Sequence, residues 1–256
     1  GPDSGWMYRV NDKFPGYSAG LARISDGDTV EWLYTRNRGK DIGGYVPENG
    51  GTAGGGQVVT GMTEKVDKSG KAEMTLSEKA VNSLVQAIKD SAAAGGKVEI
   101  VTAVPEEARS VVVNIPPVIL QNLSEAKQTT LVVTTDMAVW ELDNQMIQLL
   151  QKEAGSGALQ LCAAQQDKTA LPSAVQKQVG NRPVFDLQIK AGGKAVTAWQ
   201  EGALQVRLPY TLQKGEKAED ILLLYIHDGQ AEAVPDAHYD QAHQAMALAA
   251  THFSVF

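Results

Sequence analysis

Residues 110–124 read SVVVNIPPVILQNLS, and the fold class turns on where this stretch changes its period. Val111, Val113 and Ile115 are spaced two apart, which places them on one face of a β-strand. Beyond Pro116 the apolar residues recur at Ile119, Leu120 and Leu123, the spacing of a helix with one buried face. Proline suits the first helical position, because its missing N–H has no intrahelical partner there and its φ is already helical. The stretch predicts a strand that runs directly into a short helix.

The same unit is written twice more. Leu76 is followed by the N-cap candidate Ser77, with Glu78 in the first turn, then Ala80, Val81, Leu84, Val85 and Ile88. Leu142 is followed by Asp143, a second N-cap candidate, then Met146, Ile147 and Leu150. The separations, 76 to 115 and 115 to 142, are unequal, so the recurrence is not a solenoid repeat.

Around these units the chain reads mostly as strand. VVTGMTEKV and KAEMTL are strands joined by the turn Asp67-Lys68-Ser69-Gly70, and KVEIVTAV precedes the opening stretch. Phe185, Leu187 and Ile189 alternate into the turn Ala191-Gly192-Gly193-Lys194, and Leu204, Val206 and Leu208 alternate into Pro209. DILLLYIHDGQAEAV is a hairpin around Asp228-Gly229, followed by alternation at Met246, Leu248 and Ala250. Short strands with intervening small helices predict an α+β, mostly β fold. Its main body is an antiparallel β-sandwich-like domain with short helices, not a doubly wound parallel sheet.

The first 35 residues differ in character. GWMYRVN (5–11) and TVEWLYT (29–35) are strands separated in part by the turn Ser25-Asp26-Gly27-Asp28. From Gly39 to Gly56 glycines crowd a stretch without periodicity, which reads as a flexible linker. The division that follows is a small module at 1–44, a Gly-rich linker at 45–56 and a β-rich domain at 57–256, with a subdivision allowed near 155–180.

The chain has 256 residues, 43 % of them hydrophobic and 21 % charged, which is enough to bury a core and ordinary for a globular protein. Lys and Arg number 23 against 30 Asp and Glu, a net charge of -7 with no basic stripe, which argues against nucleic acid as a partner. No apolar run is longer than that from Ile221 to Ile226, which is too short to cross a bilayer. The opening GPDSGWMYRV has no signal-peptide pattern, so any targeting segment lies outside it. Cys162 is the single cysteine and sits in the strand-like LQLCAA, as a small buried side chain.

Catalytic signatures are missing from the sequence. No GxSxG, HExxH, Walker loop or GxGxxG stands in the strand and helix context its mechanism needs, so no enzyme and no cofactor is expected. Gly54-Gly55-Gly56 precedes a strand, where no helix N-terminus would hold phosphate. Asp236, His238, Asp240 and His243 crowd PDAHYDQAH; a polar hairpin is the ordinary reading and a weak metal site the alternative. His227 adjoins a turn and His252 is structural. Asp26 and Asp28 supply two carboxylates where calcium takes six to eight oxygens, which favours a plain turn. Glu106 and Glu107 have no placeable opposing acid for glycoside hydrolysis and read as a solvated turn. No metal is expected at any of these. Trp6, Tyr8, Trp32 and Tyr34 alternate on their strands and are the candidate ligand-binding residues, as a platform for a sugar or other flat ligand; packing in a small core is the ordinary role of such rings.

Two stretches resemble known families. Residues 1–44, through Gly5-Trp6-Met7-Tyr8-Arg9-Val10-Asn11 and Asp26-Gly27-Asp28-Thr29-Val30-Glu31-Trp32, resemble the closing half of a transcobalamin-like C-terminal domain, a small β-grasp-like module of bacterial surface proteins. The strands and helix that open such domains do not precede this stretch, so an incomplete module is expected. Residues 57–256, through NRPVFDLQIKAGGKAVT, VRLPYTLQKGEKAEDILLLYIHDG and THFSVF, resemble a β-rich domain of large surface proteins that often carry S-layer-homology anchors. Together these imply an extracellular structural or adhesion module at the bacterial cell surface, held to the wall by regions outside this chain. Its implied partners are neighbouring domains or copies of itself, in a homopolymer built by strand exchange at the incomplete sheet. The alternative they imply is a surface module that binds a corrinoid or glycan.

Overall fold

The computed structural model describes residues 5–11, 24, 26–36, 57–59, 62–92, 96–105, 107–126, 128–252 and 255–256. The expected linker and Glu106 lie outside the described residues. β1 (Gly5–Val10) and β2 (Val30–Thr35) pair antiparallel as a sheet of two strands. The next stretch runs β3 (Gln57–Val59), β4 (Met62–Val66), β5 (Lys71–Leu76), α1 (Glu78–Ala92), β6 (Lys97–Val101), β7 (Ser110–Ile115), α2 (Pro117–Glu125) and β8 (Thr130–Thr134). It continues through β9 (Val139–Leu142), α3 (Asn144–Ala154), β10 (Leu159–Gln165), α4 (Ser173–Val179), β11 (Phe185–Ala191), β12 (Lys194–Val196) and β13 (Leu204–Pro209). The chain closes with β14 (Leu224–His227), β15 (Gln230–Ala233), β16 (His238–Asp240) and β17 (Ala245–Ala250).

Besides the two-stranded β14–β15 hairpin, two larger sheets result, one in the order β12-β11-β10-β7-β5-β4 and the other β16-β17-β13-β9-β8-β6-β3. Most pairs are antiparallel, as the α+β, mostly β reading expects. Three are parallel: β5 with β7, β6 with β8, and β3 with β6. The first two follow from the strand-to-helix units. β5, β7 and β9 each lead into a helix, and α1, α2 and α3 each hand the chain to a strand of the other sheet. In the registers Ile115 faces Leu159 and Leu142 faces Leu131, so these crossings share one end of the sandwich. α2 packs against both α1 and α3 there.

The three sequence units are these three helices with the strands that feed them. Leu76, Ile115 and Leu142 are the last residues of β5, β7 and β9. Ser77 Oγ accepts from the Ala80 N–H at 3.2 Å, and Asp143 Oδ1 accepts from the Met146 N–H at 2.7 Å, each satisfying a first-turn donor that the helix leaves unpaired. Pro116 stands at the N-cap with φ -62° and ψ 152°, and Pro117 takes the first helical position. The expectation for Pro116 was one residue early, because a residue that precedes a proline is driven out of helical ψ.

Each helix turns one stripe inward. Leu84, Ile88, Ile119, Leu120, Met146 and Leu150 are all at most 1 % exposed. They join the inner strand residues Val111, Val113, Leu131, Val133, Trp140 and Val206 in one continuous core that also takes in both sheets. Full burial of such a side chain contributes roughly 1.5–3 kcal/mol.

Turn chemistry sets the hairpins. Asp67 Oδ1 accepts from Ser69 N, Ser69 Oγ and Lys71 N between β4 and β5, which holds its carboxyl below the usual range, Ser69 Oγ contributing most. Asp228 and Gly229 have φ 47° and 76°, and Gly192 and Gly193 have 57° and 81°; two successive left-handed residues make the hairpin turn that matches strand twist. At Gly192 the turn presses on the exit of α3, for a Cβ there would lie 2.7 Å from the Ala154 carbonyl oxygen. Gly157 meets the same turn from the other side, its Cβ position 2.5 Å from Gly192 Cα.

The structure departs from the sequence reading in two further stretches. VVTGMTEKV is not one strand: β3 joins the seven-stranded sheet and β4 the six-stranded one. Between β10 and β11, where the sequence suggested no element, Ser173–Val179 forms α4, with Val175 and Val179 buried beneath it.

Candidate functional site

β1 and β2 pair in full register from Gly5 opposite Thr35 to Val10 opposite Val30. Trp6 therefore faces Tyr34 and Tyr8 faces Trp32, and the two-residue alternation brings all four rings to one face. Trp6 and Tyr34 meet edge-on with centroids 5.4 Å apart, and Tyr8 and Trp32 meet tilted at 5.6 Å. Both arrangements suit the ring quadrupoles better than a face-to-face sandwich.

Burial of the four rings is unequal. Tyr8 is 8 % exposed, whereas Trp6 is 67 %, Trp32 58 % and Tyr34 48 % exposed. Core packing, the ordinary expectation for these residues, describes Tyr8 alone. Val30 extends the same face and is also exposed. The opposite face carries the ion pair in which Arg9 Nε donates to Glu31 Oε2 at 2.5 Å, and this bond holds the Glu31 carboxyl below its usual range.

The end of the hairpin is fixed by Asn11, at φ 49°. Its backbone N–H donates to the Thr29 carbonyl, its side-chain oxygen accepts from Thr29 N, and its Nδ2 donates to Asp28 Oδ1 at 2.7 Å. Asp28 thus helps to hold the turn, with Gly27 at φ 92°.

The residues of PDAHYDQAH do not converge. Asp236, at φ 61°, lies before β16 rather than on it, so it does not share a strand face with His238 and Asp240. Asp240 Oδ2 pairs with His243 Nδ1 at 2.6 Å, while its other oxygen caps the Ala242 and His243 N–H groups. Burial raises the Asp240 pKa, but the His243 bond and the two backbone donors outweigh it and leave the carboxyl low. Among the described residues no group of three or more His, Cys, Asp or Glu is placed to hold a metal ion. His227 ends β14 and its ring stacks on Tyr225, whose other contacts include His252 and Phe256. Cys162 lies on the outer face between Val112 and Gln188, and burial pushes its thiol up. Among the described residues no helix is long and apolar enough to cross a membrane.

A recess that the sequence did not signal lies between residues 178–185 and residues 208–224, with a volume of about 250 Å³. Its walls come from the loops that follow α4 and β13 together with the strand residues Leu208, Ile226 and Met246 and with Phe256, segments far apart in sequence whose alternation gives a face but not a shared surface.

Comparison with curated proteins and with solved structures returns no match. A family model described as a domain of unknown function (DUF4430) matches residues 1–36, the stretch that carries the aromatic hairpin, and that domain is associated with transcobalamin-like proteins.

Proposed function

We propose that the chain is an extracellular adhesion module of a bacterial cell-surface protein, in which the aromatic face of the β1–β2 hairpin makes the contact and the β-sandwich serves as a rigid body. The observation that carries this reading is the set of three exposed rings on one strand face, Trp6, Trp32 and Tyr34. Large apolar groups gathered on a surface mark an interaction site more often than they occur by chance. Flat rings whose faces reach solvent stack against the C–H faces of a sugar, so a glycan is the ligand class favoured here. A corrinoid is the second ligand, supported by the match of residues 1–36 to a domain associated with transcobalamin-like proteins. Copies of the chain are a further candidate partner, since β1 and β2 make a sheet of only two strands among the described residues and a third strand adds readily to such an edge.

Tryptophan fluorescence tests the proposal directly. Of the four tryptophans, Trp6 and Trp32 are exposed while Trp140 and Trp199 are buried, so ligand quenching reports on the hairpin. Titration with wall and host glycans and with cobalamin is expected to give saturable quenching for one ligand class. Trp6→Ala and Trp32→Ala are each expected to weaken that binding by roughly 2- to 12-fold, the worth of one stacked ring. Quenching by none of these ligands, or unchanged affinity in both variants, refutes the assignment of this face.

A further inference from the structure

The recess behind α4 is a second site, on the β-sandwich. Leu208, Ile221, Leu223, Ile226, Met246 and Phe256 line it and are each at most 9 % exposed. Leu222 stands in the lining at 66 % exposure, which places it at the mouth. Among the described residues the charged side chains of the lining are Arg182 and Asp220. Arg182 Nη2 donates to Glu216 Oε1 at 2.7 Å. Glu216 Oε2 is held in turn by Tyr210 Oη at 2.6 Å and Gln213 N at 2.9 Å. The guanidinium is therefore pinned at the rim by a carboxylate that is itself fixed, and its charge is already matched.

We propose that this recess binds a small uncharged apolar molecule, the size of a single substituted ring or a short branched chain. Volume supports a small occupant. Cavities of about 150 Å³ lined by Leu, Ile and Phe accept benzene, and drug-sized ligands occupy about 300–1,000 Å³. A recess of about 250 Å³ falls between the two. A protein partner needs about 800 Å² of surface on each side, far more than this recess offers. Charge supports a neutral one. A carboxylate entering the recess would lose its water and meet Asp220, with the Arg182 charge already paired to Glu216; an ammonium would lose its water beside Arg182 and find only the solvent-exposed Asp220 carboxylate, so burying either ion costs more than the apolar contacts return.

Methyl NMR on the full chain is the test, with toluene, 4-methylphenol, 4-methylbenzoate and 4-methylbenzylammonium as probes of one shape and different charge. Saturable shifts are expected at the Met246, Ile221 and Leu223 methyls, with toluene and 4-methylphenol binding at least about tenfold tighter than either ion. Leu222→Glu, a change at an exposed position that leaves the core intact, is expected to weaken the neutral probes several-fold. Val118→Glu, at another exposed apolar site on α2, is the control and is expected to change nothing. Tighter binding of a charged probe, or shifts spread over the core rather than these methyls, overturns the proposal. So does a solution mass that rises with concentration and falls to that of a monomer in Leu222→Glu, for the recess would then be an interface between copies.

Discussion

Three glycines around one turn separate two kinds of cost, and substituting each by alanine measures them. At Gly193 a Cβ would find no atom within 4 Å, but φ is 81°, so Gly193→Ala carries only the penalty of a left-handed backbone. That penalty is about 1–2 kcal/mol. At Gly157, which lies outside the left-handed range, a Cβ would sit 2.5 Å from Gly192 Cα and 3.1 Å from the Ala154 oxygen. Both are backbone atoms and cannot swing aside, so Gly157→Ala carries the cost of overpacking, about 1–3 kcal/mol. Gly192 has both problems, with φ 57° and the Ala154 oxygen 2.7 Å from the Cβ position. Gly192→Ala is therefore expected to cost about 2–5 kcal/mol, the sum of the other two ranges. At about 2–4 °C per kcal/mol for a chain of this size, the melting temperature falls by roughly 2–8 °C for Gly193→Ala and roughly 4–20 °C for Gly192→Ala. Thermal melts followed by circular dichroism and urea titrations supply both quantities. A Gly192→Ala loss no larger than that of Gly193→Ala would falsify the claim that the α3 exit and the β11–β12 turn touch backbone to backbone.

Two further outcomes are expected. Asp143→Ala removes the acceptor of the Met146 N–H at the start of α3 and is expected to cost about 1 kcal/mol, whereas Asp143→Asn keeps an acceptor and should melt close to the parent; equal losses in the two would show that the cap is not the cause. Asp186 is half buried and burial raises its pKa, against smaller opposing effects from the amides of Gln188 and Gln166. A carboxyl raised on folding contributes stability that is present below its ordinary value and is lost as pH rises through the folded value. Asp186→Asn is therefore expected to raise the melting temperature near pH 7, with the gain vanishing below about pH 3.8, and a gain that is constant with pH would count against burial as its source.

Local structure was well written in the sequence. Ser77 and Asp143 mark helix starts because an oxygen one residue before a helix satisfies a first-turn N–H whatever the sheet order is. Asp228-Gly229 and Gly192-Gly193 mark hairpins because left-handed backbone pairs are almost confined to such residues. Partner choice was not written there. Val111 and Val133 share the same two-residue spacing and the same apolar character, yet β7 and β8 lie in different sheets, since alternation encodes a face and not a neighbour. The split of VVTGMTEKV into β3 and β4 was hidden for that reason. Of the candidate site, alternation placed the four rings on one face, but it carries no information on what covers that face. The recess was illegible, because alternation gives Leu208, Ile226 and Met246 a face but does not say that two loops and Phe256 close around it.

The three helical crossings also bear on how the domain would yield under mechanical load. In a sandwich whose strands connect within each sheet, a pulling force can slide one sheet off the other and leave both strand ladders whole. Here every attempt to part the sheets draws on α1, α2 and α3, each a covalent thread from one sheet to the other at the same end. Parting the layers therefore strips the inward stripes of these helices out of the one shared core. Load on either sheet is thus handed through the helices to contacts that both sheets share.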